Sequence, residues 1–153
     1  MFEDCHGLVF RTAYRITGNA ADAEDVLQAV FLRLLRRDRS AEPLSNPESY
    51  LRRAAVNAAL DVVRARQEQA SVPLEDSPPG PGDQRELRDG LRRALAALSP
   101  RSAEIFALRF FEGHTNPEIA RMLGMSQVHV AVLLHRTRKQ LQKEIRSYLG
   151  VQS

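Results

Sequence analysis

The stretch IARMLGMSQVHVAVLLHRTRKQL, Ile119 to Leu141, decides the fold of the chain's second half. Gly124 permits a tight turn, Ser126 is placed to cap the helix after it, and apolar residues on both sides recur at helical spacing. Two short helices about such a turn form the layout that sets a helix in the major groove of DNA. The second helix is unusual in its first turns, where Val128, Ala131, Val132 and Leu133 stand in place of base-reading donors. Successive helical residues turn by about 100°. With Val130, Leu134 and Leu141 toward a core, Val128 and Val132 point outward. His129, Leu133 and Arg136 then lie to one side and Ala131 to the other.

Upstream of this stretch the helical period persists. RELRDGLRRALAAL sets Leu87, Leu91, Leu95 and Leu98 on one face. In SPRSAEIFALRFFEG, Ser99 caps, Pro100 sits in the first turn and Gly113 stops the helix. Thr115 with Glu118 fits a capping box for NPEIARML. After Ser126 the last helix is expected to run to about Leu149.

The first half is helical as well. EDCHGLVFRTAYRITG ends at Gly18, a C-terminal cap, and Asn19 can cap the next helix, with Asp22, Glu24 and Asp25 in its first turns. That helix carries Val26, Leu27, Val30, Phe31, Leu34 and Leu35 on a broad apolar face and ends in Arg36 and Arg37. DRSAEPLSNP, with Pro43 and Pro47, reads as a loop. ESYLRRAAVNAALDVVRAR then places Leu51, Ala55, Ala59 and Val62 inward, and Arg52, Arg53, Asn57, Asp61 and Arg64 on the opposite side. The Pro/Gly/Ser-rich stretch QEQASVPLEDSPPGPGDQ has too little apolar surface to order itself and reads as a linker. The expectation is therefore an all-α chain of two small helical domains, residues 1–66 and 85–153, joined by a flexible Pro/Gly-rich linker at 67–84. The second is a helix-turn-helix domain.

Charge and composition narrow the class. The 153 residues carry a net charge of +3. Residues 1–66 contribute +1, residues 67–98 contribute −2 and residues 99–153 contribute +4, so the basic excess is C-terminal. That distribution permits a polyanionic partner without requiring one. One cysteine, Cys5, excludes an internal disulfide framework. His6, His114, His129 and His135 have no zinc spacing and no nucleophile beside them, and Gly80 and Gly82 lack the strand and helix of a phosphate loop. No enzyme, cofactor or metal is expected. With no signal-peptide pattern and no membrane-length apolar run, no membrane insertion is expected and the chain reads as soluble and cytoplasmic.

Together the segments resemble the bacterial sigma-70-type transcription initiation factors, specifically the small extracytoplasmic-function group. AYRITGNAADAEDVLQAVFLRLLRR resembles their polymerase-binding helix. YLRRAAVNAALDVVRAR resembles their promoter-melting helix, and LSPRSAEIFALRFFEGHTNPEIARMLGMS their C-terminal helix-turn-helix domain. The resemblance covers nearly the whole chain. It implies a non-catalytic subunit that binds core RNA polymerase through its clamp helices and flap, opens promoter DNA with its first domain and reads the upstream minus-thirty-five element with its second.

Asp25 and Gln28 match the family's clamp contact, with Phe31 and Leu35 on the same helix. Where relatives usually carry Glu, this chain has Ala29. Arg53, Asn57 and Arg64 match the promoter-contacting surface, and the loop from Arg39 to Asn46 matches the segment that captures a flipped base. Tyr50 stands where an aromatic residue stacks at the edge of the opened duplex. Melting needs cations for phosphates and a pocket for an unstacked base. Asn57 stands out, because asparagine gains little in mid-helix.

Across positions 128 to 133 relatives usually read Gly-Thr-Val-Lys-Ser-Arg, and only Val130 survives here. Three readings are open. The helix reads DNA weakly or in an altered way through Gln127, His129, His135 and Arg136; or its apolar face, Val128, Val132 and Leu133, binds a protein; or it is more buried in its own domain than in relatives or merely tolerates drift. Arg136, Arg138, Lys139, Lys143 and Arg146 could meet phosphate or the flap. An anti-sigma factor or a recruiting protein is the implied further partner. Two rivals stay open: a sigma-like decoy or adaptor that never drives initiation, and an ordinary helix-turn-helix repressor, which leaves the first domain unexplained.

Overall fold

A computed structural model describes residues 2–37, 46–69 and 82–150, with side chains from residue 4 in the first stretch and from residue 87 in the third. The described residues form seven helices: α1 (Phe2–Thr17), α2 (Ala20–Arg36), α3 (Pro47–Gln69), α4 (Gly82–Ala97), α5 (Pro100–Phe110), α6 (Asn116–Leu123) and α7 (Gln127–Leu149). No strand occurs among the described residues. Helices α1, α2 and α3 pack on one another, and α4, α5 and α6 pack around α7 or each other. The two sets meet where α3 touches α4 and α5. Helix extends into both ends of the stretch read as linker, since α3 reaches Gln69 and α4 starts at Gly82. The linker from 70 to 81 and the loop from 38 to 45 lie outside the described residues.

Local chemistry explains the boundaries. Asn19 caps α2 by accepting from the Asp22 N–H at 3.1 Å, and Ser99 and Ser126 cap α5 and α7 in the same way. Thr115 and Glu118 form the reciprocal capping box at the start of α6. Gly18 and Gly124 adopt left-handed φ of 68° and 65°, the conformation that lets α1 and α6 end abruptly. Helix α5 ends earlier than expected. Phe111 already caps it, donating to the Ala107 carbonyl, and Gly113 makes the left-handed turn beyond it.

The core follows the apolar period with three corrections. Val9, Ala13, Ile16, Val26, Leu27 and Val30 are buried with Leu51, Ala55 and Ala59; Leu95, Leu98, Ile105, Leu108, Ile119, Val130, Leu134 and Leu141 are buried in the second set. Leu35, expected on the apolar face of α2, is 81% exposed, because helix rotation turns it away from the side of Val26, Val30 and Leu34; Leu34, in the same last turn, packs half-buried against the core. Leu87 is half exposed near the free end of α4. Helix α3 is buried on two sides: besides Leu51, Ala55 and Ala59, it buries Val56, Leu60 and Val63.

Candidate nucleic-acid interface

The outward side of α2 is built by what its inward side holds. Asp22 is turned in, where Arg66 of α3 grips it with Nε at 3.1 Å and Nη2 at 2.5 Å. Hydrogen bonding and charge from Asp22 raise the Arg66 pKa further above its ordinary value. With Asp22 fixing the phase, Asp25, Gln28, Ala29, Leu32, Leu35 and Arg36 fall on one exposed strip at 100° per residue. Leu35 at 81% and Leu32 at 52% exposure leave a large apolar area facing water there. Phe31 sits at the edge of this strip, half-buried, its ring 6.4 Å from that of His6. Leu32 escaped the sequence reading. Its signal was its place one turn beyond Gln28, on the same side.

The polar side of α3 starts at Asn46, whose side chain accepts from the Ser49 N–H at 3.1 Å and whose carbonyl accepts from the Tyr50 N–H. Tyr50 is half-buried, with the Arg37 guanidinium 5.6 Å from its ring centre. Arg53 donates from Nε and Nη2 to Glu104 of α5 at 2.8 and 3.3 Å, and Asn57 donates to the same carboxylate at 2.8 Å. Arg52 lies 2.9 Å from Glu48 and 3.8 Å from Glu112, and Arg64 pairs with Asp61 at 3.1 Å. Thus the structure brings Asn46, Tyr50, Arg53, Asn57 and Arg64 along one helix. Arg39 lies outside the described residues. Beside this face, a cleft of about 650 Å³ runs between Asn46, Tyr50, Arg52 and Arg53 on one side and His114, Glu118, Arg121 and Met122 on the other. Sequence reading missed Glu104 and Glu112, because an acid in mid-helix or just past a helix end carries no local mark of a partner far along the chain.

On α7, Val130, Leu134, Thr137 and Leu141 face inward. Val128 is 74% exposed and Val132 40%, and Gln127, His129, Ala131, His135, Arg136 and Lys139 are exposed beside them. Leu133 is half-buried against the core. The first two turns thus present an apolar outward face whose first cation is Arg136. Arg138 turns away from that outward face and lies 5.2 Å over the Phe110 ring. At α6, hydrogen bonds from the Thr115 backbone and hydroxyl, and then from His114, hold the Glu118 carboxyl below its ordinary pKa.

No described helix is long and apolar enough to cross a membrane, and no group of three metal-ligating side chains occurs among the described residues.

Comparison with known proteins matches two family models to the chain. Residues 1–69 match the family model for sigma-70 region 2, and residues 88–141 that for sigma-70 region 4. The chain is 35% identical to the ECF RNA polymerase sigma factor SigE of Mycolicibacterium smegmatis, covering 95% of this chain and 58% of that protein. It is 33% identical to the RNA polymerase sigma-E factor of Streptomyces coelicolor, covering 90% of this chain and 79% of that protein. Among solved structures, the fold is similar to the sigma factor RpoE of Bartonella quintana, crystallised with the anti-sigma factor NepR. That match has a TM-score of 0.53 at 20% identity, over 93% of this chain and 92% of that one. It is also similar to the sigma factor SigJ of Mycobacterium tuberculosis, with a TM-score of 0.50 at 22% identity, over 92% of this chain and 53% of that one. The chain belongs to the sigma-70 family of RNA polymerase initiation factors, which are non-catalytic, within its extracytoplasmic-function group.

Proposed function

We propose that the chain acts in the cytoplasm as a sigma factor that docks on core RNA polymerase with α2 and opens promoter DNA with α3. Residues 1–66 form the docking and melting domain, 67–84 the linker and 85–153 the helix-turn-helix domain. The observation that carries this reading is the strip of Asp25, Gln28, Leu32 and Leu35. A soluble chain gains nothing by presenting two leucines beside a carboxylate and an amide unless a partner covers them. Phe31 borders the contact. Arg39, Asn46, Tyr50, Arg53, Asn57 and Arg64 meet the opened strands, the arginines on phosphate and Tyr50 on an unstacked base.

The helix-turn-helix domain reads the minus-thirty-five element weakly. Base edges are read by hydrogen-bond donors and acceptors, and Val128, Ala131 and Val132 supply none. Their exposure instead fits a protein partner that holds the second domain near the start site and replaces upstream contacts by effective concentration. Gln127, His129, Leu133 and Arg136 border that patch, with Arg138 and Lys139 behind it. Footprinting of polymerase with this factor on linear DNA tests the point. Sequence-dependent protection of the upstream element contradicts recruitment.

One observation favours a second reading, a sigma-like adaptor that binds a regulatory protein without driving initiation: Arg53 and Asn57 already hold Glu104. Association with core polymerase and production of short transcripts separate the two.

A further inference from the structure

Helix α1 takes no part in the docking and melting contacts assigned above, yet its outward face has a chemistry of its own. Residues 7–18 contain two arginines, two aromatic residues and no acid. At 100° per residue from the buried Val9, Phe10 falls at about 100°, Tyr14 at about 140°, Gly7 at about 160° and Arg11 at about 200°, on the side away from the core. Gly18, just past the last turn, continues the line at about 180°. Tyr14 is 49% exposed and Phe10 half-buried, and their rings lie 6.2 Å apart and 23° from parallel.

At each end of this pair a glycine makes room for a guanidinium. A Cβ placed on Gly7 would come within 2.8 Å of Arg11 Nη1, and one placed on Gly18 would overlap the Arg92 guanidinium of α4. Glycine weakens a helix interior relative to alanine, so Gly7 costs α1 propensity while it lets Arg11 lie back along the helix. The row runs cation, ring, ring, cation over about 16 Å from Gly7 to Gly18. Arg11 is exposed and has no carboxylate partner among the described residues; Arg92 stands 3.9 Å from Asp89, too far for a hydrogen bond. A protein-docking face exposes aliphatic groups, as α2 does with Leu32 and Leu35, but from Gly7 to Gly18 this side of α1 carries none. Single-stranded nucleic acid is held the other way, by rings on which bases stack and by cations that follow the backbone.

We propose that this face of α1 is a second contact for single-stranded DNA, separate from α3, in which unstacked bases lie on Tyr14 and Phe10 and backbone phosphates meet Arg11 at one end and Arg92 at the other. Its place suits a strand that leaves α3. Arg15 of α1 and Arg52 of α3 reach the same Glu112 carboxylate, at 2.8 and 3.8 Å, so the basic edge of α1 adjoins the polar side of α3. Stacking on two rings carries no base-edge hydrogen bonds, so the contact tolerates any sequence.

Fluorescence anisotropy of the full chain with a labelled oligothymidine at low salt reads this contact, beside an abasic strand of equal length. No polymerase is present, so the result is independent of the reading of α3 as the melting helix. Tyr14→Ala should weaken oligothymidine binding about tenfold, within the range of one lost base–aromatic contact, and Tyr14→Phe should keep it. The abasic strand should bind more weakly than oligothymidine and not distinguish Tyr14→Ala from the wild type. Arg11→Gln should flatten the dependence of log affinity on log salt by about 0.7, one phosphate's share on a single strand. Circular dichroism checks that each variant keeps its helix content. Irradiating an iodouracil-substituted strand with the wild type should attach it to Tyr14. A wild-type chain that does not bind oligothymidine overturns the proposal, as do equal affinities for the abasic strand, crosslinks confined to α3, or unchanged binding in both Tyr14→Ala and Arg11→Gln. Loss of core polymerase binding in Tyr14→Ala with strand affinity unchanged gives the face to a protein and overturns it too.

Discussion

Replacing Leu32 and Leu35 together by alanine tests the docking strip without touching the fold. Full burial of a leucine side chain contributes about 1.5–3 kcal/mol. Scaled by exposures of 52% and 81%, a partner that covers both gains about 2–4 kcal/mol from them. At 1.4 kcal/mol per decade, losing it should weaken core polymerase binding by roughly 30- to 700-fold. The same change should leave folding stability within about 0.5 kcal/mol, because neither side chain is buried and alanine is the best helix former. Fluorescence anisotropy of labelled protein titrated with core polymerase reads the first quantity, and urea unfolding reads the second. Binding within about threefold of wild type refutes the strip as the docking surface. A large loss of stability refutes the premise that these leucines are free in the isolated chain.

The remaining predictions rest on single contacts. Val128→Lys with Val132→Ser should abolish capture by a recruiting protein while leaving stability within about 0.5 kcal/mol, since both positions are exposed; pull-down from cells of the native host, with and without the change, checks it. Breaking the Asp22–Arg66 pair should be asymmetric. Asp22→Ala releases an arginine that is already half in water and costs about 1 kcal/mol, whereas Arg66→Ala strands a buried carboxylate and costs about 2 kcal/mol, as urea unfolding can resolve. The Glu118 carboxyl has its pKa lowered by folding, so its contribution is complete above the ordinary carboxylate value and is lost as pH falls through the folded one. Thermal melts should therefore show Glu118→Gln less stable than wild type near neutrality, with the gap closing below about pH 4.

Legible from residues alone was whatever is decided locally. Asn19, Ser99, Ser126, the Thr115–Glu118 box and the turn at Gly124 are set by hydrogen bonds spanning three or four residues, and each stands as expected. Periodicity found the main core but not its limits: Leu35 is turned out of the stripe of Val26, Val30 and Leu34 by helix rotation, whereas Leu87 keeps the phase of Leu91 and Leu95 but lies near the start of α4. The second stripe of α3 was lost for a different reason. Val56, Leu60 and Val63 sit beside Arg52, Arg53 and Asn57, and apolar residues among cations read as a solvated face until another domain lies on them. The partners of Arg53 and Arg66 are 51 and 44 residues away in sequence, a separation at which no local pattern records the contact. Position 128 was the reverse case. There the departure from the family pattern was legible at once, and the outward angle of Val128 and Val132 comes from helix rotation alone.

The first domain's capacity to make core polymerase open DNA is the central claim. Abortive initiation with purified core enzyme, on a supercoiled template carrying promoters of the native host, measures this most directly. Short transcripts that require the chain, and that disappear when Asn57 and Arg53 are both changed to alanine, are the predicted result. Core enzyme that yields no chain-dependent transcript, even with a lysate of the host supplied, contradicts it.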